Sequence, residues 1–267
     1  MANRDFSVGM LISTYNWPRA LEVIFQSILQ QTQLPDEILI ADDGSRADTT
    51  QLINRYRKIF KVPIKHAWHE DAGFRKGIIL NKAVKLSTSD YIIEIDGDIV
   101  LHRRFIEDHI RAAERGYFVQ GSRAMVGEAT TQQILASEAP RHHISFFTKG
   151  IRNRFNALRL PALSWLIRAN PYGSDNTKAC NLAFWREDFI AINGYNNLFF
   201  GWGSEDCEFA ARLINAGVLK KRLKLAAVCY HLHHEYNSKS QFAVNGQRYS
   251  DTKSSKMVFC PDGYAEV

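Results

Sequence analysis

No apolar run in the 267-residue chain approaches the ~18–20 residues needed to cross a membrane as a helix, so an integral membrane protein is not expected. The N-terminus, MANRDFSVGM, has no apolar stretch leading to a small-residue cleavage site and does not read as an export signal. A cytoplasmic protein, at most peripheral to the inner face of a membrane, is the expectation. Cysteine is sparse: Cys180, Cys207, Cys229 and Cys260 stand far apart with no CxxC pair, which points to reduced, separately packed thiols. Neither GxGxxG nor GxxxxGK[ST] occurs, so a dinucleotide cradle or an ordinary phosphate loop has no support. Acidic residues are outnumbered by basic ones, 28 to 34, and the net charge of +6 favours an anionic partner. Nucleic acid, a membrane surface and a phosphorylated substrate all meet that description.

The hydrophobic content of 45% can supply a sizeable core. Strand-like and helix-like patterns alternate through the first hundred residues. SVGMLIST, DEILIADD, VPIKHAW and DYIIEI read as strands; PRALEVIFQSILQQT, TTQLINRYRKIF and KGIILNKAVKLS read as helices. Ser45 and Asp48 have capping-box spacing ahead of the second helix. Such alternation predicts an α/β fold, a single Rossmann-like domain with a mostly parallel sheet flanked by helices. Ligands would then gather at the carboxyl ends of the strands. Thr14, Asp42, Asp43, Asp96 and Asp98 all follow strand-like runs and would share one rim.

Within IIEIDGDIVL, Asp96 and Asp98 end a buried run and are separated by Gly97. Two ionised carboxylates ~5 Å apart repel by ~3 kcal/mol at an effective dielectric of ~20. A divalent cation removes that cost, and carboxylate oxygens suit Mg²⁺ or Mn²⁺. An ordinary Asp-Gly surface turn is the alternative. GWGSED sets Trp202 between two glycines, ahead of Glu205 and Asp206 at an expected helix start. The flat Trp202 ring suits a sugar face, whereas a capped helix beside a buried tryptophan would have the same residues. YHLHH offers His231, His233 and His234 after a last strand as metal ligands.

Six segments, ISTYNWPRAL, ILIADDGS, GFRKGIILNKA, EIDGDIVL, CNLAFWREDFIAINGYNNLFFGWGSEDCEFAARL and CYHLHH, together resemble the family 2 glycosyltransferases of GT-A fold. The last two are similar to the β-1,4-galactosyltransferases and bacterial chondroitin-polymerase-type enzymes. The resemblance implies a nucleotide-sugar donor, a UDP-sugar, bound by Thr14, Tyr15, Asp43 and Asp96, with a cation at Arg75 or Lys76. It implies Mn²⁺ or Mg²⁺ held by Asp98 and by His231 or His234, with His233 pointing away. It makes Asp206 the general base and puts Glu205, Trp202 and Asn181 on the acceptor side. The acceptor would be a glycan or lipid-linked saccharide, and the pathway bacterial surface polysaccharide such as capsule or lipopolysaccharide. Cys207 departs from the longer acidic run of the galactosyltransferases, so their acceptor specificity does not carry over. A sugar nucleotidyltransferase and a non-catalytic carbohydrate-binding protein are the competing readings.

The expected domain runs over 1–235, with a polar, loosely ordered tail over 236–267. A patternless insertion at about 125–174 lies outside the resemblance. Within it, Arg141 to Arg168 carries six basic and no acidic residues, interleaved with Phe146, Phe147, Phe155, Leu158 and Trp165. That pattern fits either an anionic membrane surface or a lid over the acceptor site. Nucleic acid is not expected, because no binding module is recognisable.

Overall fold

A computed structural model describes residues 4–137, 144–167, 170–235 and 239–267. The strands are β1 (Val8–Thr14), β2 (Glu37–Asp42), β3 (Ile64–Trp68), β4 (Tyr91–Asp96), β5 (Ile99–Leu101), β6 (Tyr117–Gln120), β7 (Arg123–Val126), β8 (Ile151–Arg152), β9 (Leu182–Trp185), β10 (Leu219–Arg222) and β11 (Cys229–His231). The helices are α1 (Pro18–Leu29), α2 (Ala47–Arg57), α3 (Lys76–Lys85), α4 (Phe105–Ala112), α5 (Glu128–Ala136), α6 (Arg186–Ala191), α7 (Glu205–Asn215) and α8 (Phe242–Ser254).

Seven strands form the main sheet in the order β10-β6-β9-β4-β1-β2-β3. β3, β2, β1 and β4 run parallel, and β9 is inserted antiparallel to both β4 and β6. The mostly parallel α/β expectation therefore holds. Strand periodicity divides the core between the two faces of the sheet. Val8, Met10 and Ile12 of β1 pack with Leu21, Phe25, Ile53 and Phe105 from α1, α2 and α4. Leu11 points the other way, into the layer built by Leu80, Phe189, Phe209 and Leu213 from α3, α6 and α7. Buried on both faces, these strands read as continuous apolar runs.

A second sheet, β5-β11-β7-β8, positions the site. β11 pairs antiparallel with β5 and parallel with β7, which sets His231 opposite Ile99. The Leu232 N–H then donates to the Asp98 carbonyl at 2.9 Å.

Several expectations require correction. The last strand is short and includes His231 instead of preceding it: Leu225 and Ala227 take left-handed backbone, φ 58° and 45°, as the chain passes from the main sheet at β10 to the small sheet at β11. The Ser45–Asp48 capping box does not form. Arg46 is the N-cap and makes no side-chain cap bond, while the Ser45 hydroxyl accepts from the Asn16 N–H at 2.8 Å. The segment over 125–174 holds an unforeseen helix, α5, whose sequence EATTQQILA buries only Thr131 and Ile134 and so has no apolar stripe to read.

The basic segment is tied down from inside. Arg159 binds both oxygens of Asp108, at 2.6 and 2.8 Å, and Arg154 donates to the carbonyls of Phe146 and Thr148. Arg141 and Arg168 lie outside the described residues, as does the side chain of Trp165. The tail is not loose. From residue 239 on, it contains α8, which packs on α7, and it buries Asn245, Thr252 and Cys260.

Candidate active site

The carboxyl ends of β1, β2 and β4 open on a cleft of about 850 Å³. Parallel register sets Thr14 beside Asp42 and Ser13 beside Asp96, so the rim expected from the sequence exists. At one end Asp43 is buried and held on both oxygens. His69 Nε2 donates to Oδ1 at 2.7 Å and the Arg75 N–H to Oδ2 at 2.9 Å. The Thr14 hydroxyl is buried without a partner among the described residues, and the half-exposed Tyr15 ring donates its O–H to Asp71 at 2.8 Å. Arg75 and Lys76, not separable by sequence, part here. Arg75 folds its guanidinium back onto the Glu70 carbonyl and lies outside the cleft lining, whereas Lys76 reaches in and donates to Asp96 Oδ1 at 2.6 Å.

Gly97 lets the Asp96–Asp98 turn lie against β1, where an added Cβ would stand 2.5 Å from the Ser13 carbonyl oxygen. The turn delivers Asp98 to His231 and His234, whose Nε2 atoms lie 3.5 and 3.2 Å from Asp98 Oδ2. One ligand atom from each residue falls within 4.8 Å of the others. Each imidazole uses Nδ1 on a carbonyl, His231 on Leu232 at 2.8 Å and His234 on Glu235 at 2.5 Å. Those bonds keep a proton on Nδ1, so that Nε2 is the nitrogen whose lone pair, once free of its proton, can take a metal. Asp98 Oδ1 is buried with no hydrogen-bond partner among the described residues, a cost of ~1–3 kcal/mol unless something else satisfies it. Burial lowers the pKa of His231, while the bond to Asp98 raises His234 to about 8. One carboxylate and two imidazoles make a donor set that fits a divalent ion of the Mn²⁺ type and leaves coordination positions for phosphate oxygens. Both histidines point at Asp98, so the choice between them left open by the sequence becomes a pair.

Across the cleft, the chain enters α7 through left-handed backbone at Gly201, Gly203 and Ser204, which turns Glu205 and Asp206 inward. The Gly203 N–H donates to Glu205 Oε2 and the Ala179 N–H to Asp206 Oδ2, each at 2.9 Å. Asp206 Oδ1 is buried and has no partner among the described residues. Burial is the first cause of the raised pKa of both groups, to about 7 for Glu205. Lys76 is the cation these acids share; the charges of Asp96, Asp206, Glu94 and Glu205 hold it protonated, well above its usual range despite burial.

Asn181 is a misplaced expectation. Its amide donates to the carbonyls of Ser122 and Ala227, its oxygen binds His109 Nε2 at 2.8 Å, and it clamps strands beneath the cleft without lining it. The sequence reading overlooked Glu94, Arg123, Lys178, Lys239 and Phe242. Glu94 had a usable signal, a lone acid inside YIIEID. It is fully buried, receives the Tyr195 O–H at 3.0 Å and is pushed up to about 8 by burial. Arg123 lines the cleft and donates to Cys180 Sγ at 2.7 Å. Nothing local distinguishes Lys178, Lys239 or Phe242 from other surface residues.

The parallel sheet, its antiparallel insertion and the aspartate-lined rim define a GT-A glycosyltransferase fold. Residues 10–172 match glycosyl transferase family 2, and residues 168–235 match the N-terminal domain of galactosyltransferase. The chain belongs to the family 2 glycosyltransferases. It is 23% identical to the chondroitin synthase of Pasteurella multocida (strain Pm70), over 80% of this chain and 24% of that protein. It is also 23% identical to the validoxylamine A glucosyltransferase of Streptomyces hygroscopicus subsp. limoneus, over 79% of this chain and 48% of that one. The chain thus spans half or less of these relatives. Among solved structures, a Pyrobaculum calidifontis mannosyltransferase in complex with GDP-Man and Mn²⁺ superposes with a TM-score of 0.57 at 19% identity, covering 86% of this chain and 57% of that one. Residues 1–349 of S. aureus TarS superpose with a TM-score of 0.63 at 13% identity, covering 97% and 67%.

Proposed function

We propose that this chain transfers a hexose or N-acetylhexosamine from a UDP-sugar to a saccharide hydroxyl, with inversion at the anomeric carbon. One observation carries the reading: a single cleft has buried oxygens without a partner among the described residues on Asp98, beside two imidazoles that can ligate a metal, and on Asp206, across from them. Asp98, His231 and His234 would hold Mn²⁺ or Mg²⁺, which when bound neutralises charge on the departing diphosphate. Thr14, Tyr15 and Asp43 receive the nucleoside, and Asp96 positions Lys76 beside the donor.

Asp206 Oδ1 takes the proton of the acceptor hydroxyl as it attacks, while the Ala179 N–H fixes the other oxygen in place. Glu205 and Trp202 hold the acceptor. With base and leaving group on opposite sides of the sugar, displacement from an α-linked donor yields a β-glycoside. A role in polysaccharide assembly is supported by the chondroitin and hyaluronan synthases among the relatives. Among the described residues no helix is long and apolar enough to cross a membrane. Peripheral contact with an anionic bilayer is supported by Phe147 and Phe155, 86% and 79% exposed, beside the exposed Lys149.

The reading is tested with a panel of nucleotide sugars, with and without Mn²⁺. Asp206→Asn should bind UDP and Mn²⁺ normally yet turn over ~10²–10⁴-fold more slowly, whereas Asp98→Ala should lose metal-dependent donor binding. Normal turnover by Asp206→Asn would remove the proposed base.

A further inference from the structure

One wall of the cleft is completed by a part of the chain that neither family match reaches. The matches end at residue 235, and α8 lies beyond it. Phe242 opens α8 and stacks on Trp202, ring centroids 5.8 Å apart and planes 18° from parallel. Both rings stay partly exposed, at 49% and 38%, and both line the cleft. Gly203 makes the contact possible, since a Cβ there would lie 2.8 Å from the Phe242 ring. The helix is anchored from two sides. Thr252 donates to Glu208 of α7 at 3.2 Å, and Asn245 to the Phe200 carbonyl at 3.0 Å. Tyr249 donates to Asp175 at 2.7 Å, in the loop that carries Lys178. Burying one edge of this two-ring wall against protein while leaving the other over the cleft suits the apolar face of a pyranose.

Charge around the wall is sorted by depth. The acids Asp43, Asp96, Asp98, Glu205 and Asp206 lie deep, and among the described residues Glu235 is the one exposed acid in the lining. Arg152, Lys178 and Lys239 line the same cleft with exposed side chains. The charge of Lys178 acts to lower the pKa of Asp206, and neither Arg152 nor Lys239 has an ion-pair partner among the described residues. Lys239 sits one turn ahead of Phe242, whose N–H donates to the Lys239 carbonyl at 3.0 Å.

We infer that α8 completes the acceptor subsite: Phe242 with Trp202 forms the platform under the acceptor sugar, and Lys239, with Arg152, selects an acceptor saccharide that bears an anionic group. The inference rests on the glycosyltransferase reading and adds the acceptor's chemistry to it. A cation at an exposed rim attracts an anionic acceptor without neutralising the acids that work below.

The test measures transfer to three oligosaccharides that differ only in the terminal unit: glucose, glucuronate and glucose 6-phosphate. Donor hydrolysis in their absence is followed in parallel. The native chain should favour both charged acceptors over the neutral one by about tenfold or more in kcat/KM, the range of one charge-assisted hydrogen bond. Lys239→Gln should erase most of that preference. Phe242→Ala should raise KM for every acceptor about tenfold and leave the donor KM unchanged, with Phe242→Tyr restoring it. A structural role alone would lower the melting temperature of Phe242→Ala and alter donor and acceptor kinetics together. Equal use of the three acceptors, or a charge preference that survives Lys239→Gln, overturns the inference while donor turnover leaves the enzyme reading standing. Failure to turn over any donor overturns both. Because Lys239 is exposed, its variant reports even if Phe242→Ala does not fold.

Discussion

Asp206 and Glu205 are neighbours in the first turn of α7, and burial raises both above the usual carboxylate range. Their protons leave as a pair, so an activity profile reports apparent values for the pair and not for either residue. The acidic limb of kcat/KM is expected above the usual carboxylate range, with activity rising as pH increases through it, because burial raises Asp206 and the base must be ionised to accept a proton. Glu205→Gln removes a neighbouring negative charge and should move that limb to lower pH. A limb that stays in place would assign it to another group. At this scale the acids Asp43, Asp96 and Asp98 could be read directly, because charge at the end of an apolar run is visible in one dimension, and Glu205 and Asp206 because a glycine-rich loop precedes them at a helix start. Asn181 could not, since its polar groups are consumed by the carbonyls of Ser122 and Ala227, distant along the chain.

Among the elements, the Asp96–Asp98 turn depends on how closely it approaches β1. Gly97→Ala would press a methyl group against the Ser13 carbonyl, and overpacking of this kind costs ~1–3 kcal/mol. The expected result is at least a tenfold weaker Mn²⁺ affinity by titration calorimetry, because the turn can relieve the clash only by moving Asp98. Strand β2 shows a different dependence. Glu37 accepts from Ser87, Thr88 and Ser89 and pairs with Lys65 at 2.6 Å, and these contacts outweigh its burial and lower its pKa to about 2. Since the folded value lies below the unfolded one, near 4.5, its contribution is complete above pH 4.5 and is lost as pH falls towards 2. Urea midpoints measured from pH 6 to pH 2 should therefore fall more steeply for the native chain than for Glu37→Gln. Elements with strong periodicity, such as α1 and β4, were legible for the reason that α5 was not: a buried stripe or run leaves a pattern, and a helix with two buried residues leaves almost none.

For the whole molecule, the tail is structural. α8 covers α7 around the fully buried Glu208–Arg212 pair, whose arginine binds both carboxylate oxygens at 2.8 Å. Cys260 and Asn193 lie buried beneath the last residues, where the Asn193 amide donates to the Cys260 carbonyl at 2.9 Å. Ending the chain after Glu235 uncovers that pair and should lower the melting temperature by more than ~10 °C, the shift expected for a loss of ~5 kcal/mol in a protein of this size. Thermal unfolding followed by circular dichroism checks it; a truncated chain that melts with the native one would make the tail an accessory.

The sequence by itself determined the alternating α/β order, the apolar strands and the acids at their ends, because each depends on a residue's own chemistry and its near neighbours. Tertiary structure alone decided that both His231 and His234 face Asp98, that Lys76 and not Arg75 enters the cleft, and that Phe242 meets Trp202. Those choices depend on β11 pairing with β5 and on α8 packing against α7, contacts between segments whose separation along the chain carries no local signature.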